Sequence, residues 1–357
     1  MNRTTLSLLI GALVGLTILA AGFAGISLIR PGWLRALLAP AAAETDTPVI
    51  APLPTEPGQP GVFSTATPAP RPTAGITPLP TAANGVCGGP EQMTIALLGV
   101  DERGGDYSIP TRTDAISLVN IRFTDKQAAL LSIPRDLYVP LPNLEAAGIY
   151  QDRINTAFVH GEVYEVEGGG PAEFKQTVEL NFGVRVHRYV MANFGAFVAL
   201  VDALGGIDVD VPKDIYDPQF PTPDGGTEIF ALPAGLQHLD GATALKYART
   251  RHQDDDYRRI QRQQQVLLAI RDRLLRPEVI PQLPALINAL SGAIRTDLTA
   301  EEIAALACVG PQIDRSAIGA YAITGEYIIP WTTPTGGRVS IPDRDAIAPL
   351  VQAFLGQ

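Results

Sequence analysis

Between Tyr247 and Gln265 the chain reads YARTRHQDDDYRRIQRQQQ, which sets Arg249, Arg251, Arg258, Arg259 and Arg262 around Asp254, Asp255 and Asp256. Guanidinium forks bind phosphate oxygens bidentately and keep their charge at any physiological pH. An Arg-x-Arg pair just ahead of a helix adds that helix's unpaired N–H groups and positive dipole end. The chemistry this pattern serves is capture of a multiply charged anion, most simply a pyrophosphate, with carboxylates at hand for a divalent cation. The competing reading is a solvated, salt-bridged helix start. It draws weight from the general excess of arginine, since lysine occurs only at 126, 175, 213 and 246.

Two further charged groups fall at the ends of apolar runs. Gly99-Val100-Asp101-Glu102-Arg103 follows the first run, and Thr111-Arg112-Thr113-Asp114 precedes the second. If the two runs are neighbouring strands, Asp101 and Asp114 meet, and paired carboxylates are costly without a cation or arginine between them. Magnesium suits such a pair, because it takes one or two carboxylates plus phosphate oxygens and water. The alternative is two aspartates serving as turn or cap residues. The third group, Ser132-Ile133-Pro134-Arg135-Asp136, ends a third run, where Pro134 stops regular pairing. Ligands in layered α/β proteins bind outside the carboxyl ends of strands, and Asp101 and Arg135 are both placed that way.

The elements that must position these groups are legible as periodicity. Strands are expected at Thr94–Val100, Ala115–Ile121, Ala128–Ile133, His187–Met191 and Ile207–Val211. Amphipathic helices are expected at Arg153–Tyr164, Ala172–Asn181 and Phe194–Leu204. Asp240 caps a short helix, Gly241–Tyr247, and a longer one runs from Tyr257 to Leu275 ahead of Pro277. Thr299-Ala300-Glu301-Glu302 opens a last helix with a capping box. This mixture predicts an α/β fold, an α/β/α sandwich with a central mixed sheet.

A net charge of −10 over 357 residues argues against a protein that works by neutralising nucleic-acid backbones. Thr4–Ile29 is uncharged and apolar, and as a helix its roughly 26 residues would reach about 39 Å, enough for a hydrocarbon core of about 30 Å. A cleaved signal peptide is the competitor, with small residues at Ala39–Ala43, but signal cores run to only about 15 residues. Charge is balanced across the span and does not set the orientation; a short tail inside and the domain outside is the expectation, which the two cysteines favour. A Pro/Thr/Ala-rich stretch follows that cannot build a core and reads as a tether or glycosylated stalk. The expected organisation is an anchor over 1–35, a linker over 36–90, a catalytic domain over 91–276 and a C-terminal helical extension over 277–357. The two cysteines, Cys87 and Cys308, lack zinc-site spacing. In an exported protein they pair as one disulfide; otherwise they are buried thiols.

In order along the chain stand LLGVDER, TRTDAISLVNI, LLSIPRDLYVPLP, RINTAF, VDALGGIDVDVP, AGLQHLDGATALKYARTR and DDDYRRIQRQQQ. From Thr94 to Leu275 this series resembles the LytR-CpsA-Psr family. The resemblance implies a membrane-anchored bacterial enzyme, single-pass, with its domain on the extracytoplasmic side. Such enzymes move a glycopolymer from an undecaprenyl-pyrophosphate carrier to peptidoglycan as a phosphodiester, with Mg²⁺ at the pyrophosphate and a hydrophobic pocket for the polyprenyl chain. Carried over by motif, Asp101 and Asp114 hold the metal, while Arg112, Arg135, Arg249, Arg251, Arg259, Arg262 and Gln263 bind the pyrophosphate. Asp101, Arg135, Asp136, Asp256 and Arg259 are the expected catalytic set, and the general base stays open between Asp256 and Asp136. The chain departs from the family at Tyr257 (usually Phe), Arg258 (usually Gly) and Arg153 (commonly Lys). Ala172–Asn181 and Phe194–Leu204 either line a lipid slot or form ordinary core. Two rival functions use the same pocket: a non-catalytic polyprenyl-phosphate sensor or regulator, and a hydrolase releasing lipid phosphate.

Overall fold

The structure, a computed structural model, describes residues 86–101, 111–222, 224–250, 256–276, 278–279 and 294–357. Thr4–Ile29, the Pro-rich stretch and Arg251 lie outside the described residues. Among those described, no helix is long and apolar enough to cross a membrane.

Six strands form the central sheet. β1 (Gln92–Val100), β2 (Thr113–Arg122) and β3 (Gln127–Ile133) are successive antiparallel neighbours. β6 (Arg188–Asn193) lies parallel to β1 on its other side. β11 (Ile294–Thr296) and β12 (Ile318–Ala322) close the two edges, antiparallel to β6 and parallel to β3, in the order β11-β6-β1-β2-β3-β12. The sheet is therefore mixed, as the sequence pattern predicts. β4 (Tyr138–Pro140) and β5 (Gln151–Arg153) pair outside it. So do β7 (Ile207–Val211) with β10 (Gly235–Leu239), and β8 (Ile215–Pro221) with β9 (Thr227–Leu232).

Alternate residues of the central strands feed two separate cores, which is why these strands are apolar almost throughout. Ile95, Leu97, Val119 and Leu130 pack with α3 (Phe194–Ala203), α4 (Gly241–Arg249), α5 (Asp256–Leu274) and α6 (Ala300–Val309). Ala96, Leu98, Leu118 and Leu131 pack on the other face with α1 (Ala157–Val163), α2 (Gly169–Phe182) and α7 (Arg344–Leu355). Phe174 and Val178 of α2, and Phe197 and Leu200 of α3, are ordinary members of these cores.

Two expectations are corrected. The helix anticipated over 153–164 begins only at Ala157, because the Ile154 and Asn155 N–H groups donate to the Leu137 and Arg135 carbonyls, at 2.7 and 3.3 Å. Residues 277–357 are not simply a helical extension: the described ones among them supply both edge strands, the hairpin of β13 (Ile328–Thr332) and β14 (Arg338–Pro342), α6 and α7. Strands of three to five residues, partly exposed at an edge, carry too little alternation to register as a period.

α1 and α2 cross so closely that a Cβ at Gly161 would stand 2.7 Å from the Glu173 Cβ. Glu173 is fully buried at this crossing and accepts from Asn143 Nδ2 at 2.8 Å. Burial raises its carboxyl above the usual glutamate value, against the lowering effect of Asn143. A raised acid favours folding only while neutral, so that contribution is present below the unfolded value and lost as pH rises through the folded one. Glu173→Gln should therefore raise Tm at pH 7 by about 2–4 °C for each kcal/mol recovered. The gain should shrink to nothing in melts recorded below pH 4, where wild-type Glu173 is already neutral.

Candidate functional site

The carboxyl ends of β1, β3, β6 and β12 lie at one end of the sheet, and the charged groups gather there. β1 and β2 pair Gly99 with Ala115 and Val100 with Thr113, so Asp114 is the bulged residue of β2 beside the point where Asp101 leaves β1. Arg135, two residues past the end of β3, places Nη1 3.2 Å from Asp114 Oδ1. Asn155 Nδ2 donates to the same oxygen at 3.0 Å. Burial pushes the Asp114 carboxyl up, Arg135 and the Asn155 amide hold it down, and the Asp101 charge pushes it up again; the net displacement is upward. The expected meeting of the two aspartates with an arginine is thus observed.

The second arginine arrives from the opposite side. β6 pairs Asn193 with Val100, and Asn193 caps α3 by accepting from the Ala196 N–H at 2.9 Å. The next residue, Phe194, therefore sits beside the chain that leaves β1 toward Asp101. Arg249, in the last turn of α4, lays its guanidinium over Phe194 with 4.5 Å to the ring centroid and over Phe220 of β8 at 5.4 Å. Such stacking fixes the plane of the fork. Arg135 and Arg249 accordingly stand on either side of the aspartate pair.

Behind Arg249 the connection to α5 is held from within. Arg262 Nη2 donates to the Thr250 carbonyl, and Gln263 Nε2 donates to the Ala248 carbonyl at 3.4 Å. Thr250 Oγ1 donates to Asp217 Oδ2 at 2.7 Å. Arg262 and Gln263 are 4% and 6% exposed. Their described bonds support the segment leading into Arg251, where the motif pattern had them gripping pyrophosphate directly. Arg259 is also buried, at 3%. Arg112 is exposed just before β2, and Arg258 is exposed on the first turn of α5, reaching Gln261 Oε1 at 3.5 Å. Asp256 begins α5, but its side chain is not among the described parts.

Asp136 turns away to a structural task. Its carboxylate accepts from Ser340 Oγ at 3.2 Å and its carbonyl from the Ser340 N–H at 3.1 Å, which ties the β3–β4 turn to β14. Arg153, on β5, donates to the Arg338 carbonyl at 2.9 Å. Sequence reasoning missed Asn155, although it stands inside RINTAF two residues after a cation. It also missed Phe194 and Phe220, which read as core.

An apolar cavity lies between the sheet and two helices toward the opposite end, where Ile121, Ala128 and Ile318 stand in register at the ends of β2, β3 and β12 remote from Asp114 and Arg135. Val119, Leu130, Leu267, Leu306, Val309 and Ile318 are among its lining residues. It lies against α5 and α6 rather than α2 and α3.

The profile of the LytR_cpsA_psr family matches residues 81–342. The chain belongs to the LytR-CpsA-Psr family. The match extends well past Leu275, in keeping with edge strands supplied by the C-terminal part. Among relatives, the polyisoprenyl-teichoic acid–peptidoglycan teichoic acid transferase TagU of Oceanobacillus iheyensis is 34% identical over 218 residues, covering 60% of this chain and 62% of that protein. The regulatory protein MsrR of Staphylococcus aureus strain COL is 29% identical over 210 residues, covering 58% and 57%. The chain thus spans about three-fifths of the length of these relatives. A solved structure of TagT bound to LIIa-WTA matches with TM-score 0.57 and 27% identity, covering 75% of this chain and 92% of that one.

Proposed function

We propose that this chain is a membrane-anchored phosphotransferase that moves a glycopolymer from an undecaprenyl-pyrophosphate carrier to peptidoglycan. The observation that carries the reading is the convergence of Asp101, Asp114, Arg135 and Arg249 at one sheet end. The family membership and the names of relatives such as TagU support it. Thr4–Ile29 would hold the domain at the outer face of a bacterial membrane, within reach of a lipid-borne substrate.

The chemistry follows from charge. An acceptor hydroxyl, the muramic acid C6 hydroxyl in this reading, attacks the phosphorus that bears the glycan. A new P–O bond forms, the bridging P–O bond breaks, and polyprenyl phosphate leaves with the bond's electrons. Arg135 and Arg249 grip the diphosphate from two sides and neutralise charge that grows on the leaving group. The hydroxyl proton passes to a carboxylate. Asp256 is the better of the two candidates, because Asp136 is engaged by Ser340. Asp101 and Asp114 fit a magnesium ion by donor chemistry, being two adjacent carboxylates with phosphate oxygens and water to complete the shell. Bound there, Mg²⁺ would neutralise pyrophosphate charge.

The test supplies the full-length protein with a synthetic lipid-pyrophosphoryl glycan, peptidoglycan oligomers and Mg²⁺. Attachment of the glycan, lost in Asp101→Ala, is the expected result. Tight binding without turnover under every condition would replace the transferase by a sensor, the role that MsrR's name brings to mind. Release of lipid phosphate without attachment would replace it by a hydrolase.

A further inference from the structure

Asn155 carries a buried polar atom that neither the fold nor the chemistry above employs. The residue is 5% exposed. Its N–H donates to the Arg135 carbonyl at 3.3 Å, and its carbonyl accepts from Thr113 Oγ1 at 3.4 Å. The backbone is therefore clamped between the two segments that deliver Arg135 and Asp114. The side-chain orientation is fixed by chemistry, since the prong facing a carboxylate oxygen must be the N–H₂. The other prong, Oδ1, is buried and meets no hydrogen-bond donor among the described residues. Buried amide oxygens are nearly always paired, so one left open beside two carboxylates points to a missing ligand. Meanwhile Arg135 Nη1 and Asn155 Nδ2 both fall on Asp114 Oδ1, which leaves Asp114 Oδ2 for that ligand.

We propose that Asn155 is a further residue of the cation site: its amide nitrogen holds Asp114 in place, and its Oδ1 adds a neutral oxygen that a divalent cation takes directly or through one of its waters. A hard cation takes amide oxygens as readily as carboxylates, and a neutral donor adds coordination without more negative charge next to Asp101 and Asp114. The inference rests on the metal reading given under the proposed function and names a residue that reading does not contain.

The experiment titrates Mn²⁺ into the full-length protein in detergent with inorganic pyrophosphate present, following free Mn²⁺ by electron paramagnetic resonance. Asn155→Ala and the similarly sized Asn155→Leu leave both backbone bonds in place. Each is expected to weaken Mn²⁺ binding about tenfold with Tm within a few degrees of wild type. In the unmodified protein, substoichiometric Mn²⁺ should broaden the Asn155 side-chain N–H₂ resonances ahead of those of other amides, a readout that needs no variant. Wild-type affinity in both variants, or unbroadened Asn155 signals, would overturn this inference and leave the transferase reading standing. A wild-type protein that binds no Mn²⁺ would remove the metal reading and this inference together.

Discussion

Arg249→Ala is expected to slow glycopolymer transfer by about 10²–10³-fold, the usual cost of deleting one preorganised group that meets developing charge. Arg249→Lys should restore only a small part. Arg249 is held by two aromatic faces, Phe194 and Phe220, which set the plane of its fork before any substrate arrives. Lysine would keep the charge but lose the planar fork and the stacking, so it reaches phosphate as a mobile point charge. The loss in stability should be small, because a cation in the last turn of a helix contributes only about 0.3–1 kcal/mol. Single-turnover transfer compared with a thermal melt separates the two effects. Full activity in Arg249→Ala would end the assignment of this arginine to the diphosphate. Full activity in Arg249→Lys would show that charge alone suffices and the stacking is incidental.

The strands that carry the site were readable because each is buried on both faces. TIALLGV and AISLVNI are continuous apolar runs, and they pair antiparallel as β1 and β2. Once that pairing is granted, Asp101 and Asp114 must adjoin. What periodicity does not encode is which partner a buried polar group meets. Arg262 and Gln263 stand in a run of charged and amide residues that reads as pocket lining, and nothing in that run announces that they also bond to the Thr250 and Ala248 carbonyls. Asn155 was hidden in a stretch with helical spacing, and its helical hydrogen bonds are replaced by bonds to Arg135 and Thr113 from elsewhere in the chain. Phe194 and Phe220 look like core in sequence; only the approach of α4 turns them into a platform for a guanidinium. The edge strands β11 and β12 were invisible for the opposite reason, being short and half-exposed.

Removing the disulfide is expected to produce the largest loss of stability. Cys87 and Cys308 are bonded, with 5.6 Å between their Cα atoms, and they enclose a sequence separation of 221 residues. On the chain-entropy account a loop of that length is worth about 5 kcal/mol, which for a domain of this size corresponds to a Tm lower by roughly 10–20 °C. Cys308 lies on α6, whose Leu306 and Val309 form part of the apolar cavity wall. The other end of the bridge is the segment that leads into β1, so the bond pins that wall to the amino end of the strand, the end remote from Asp101. Freed from the bridge, α6 would keep its capping box at Thr299 and Glu302 but lose its one covalent tie to the start of the folded chain. Cys87→Ser with Cys308→Ser should therefore show that drop in a thermal melt, while inorganic pyrophosphate binding measured well below the lowered Tm stays near wild type, because the bridge stands at the amino end of β1 and the charged groups at its carboxyl end. An unchanged melt would show that the start of β1 and the cavity wall are held together by packing alone.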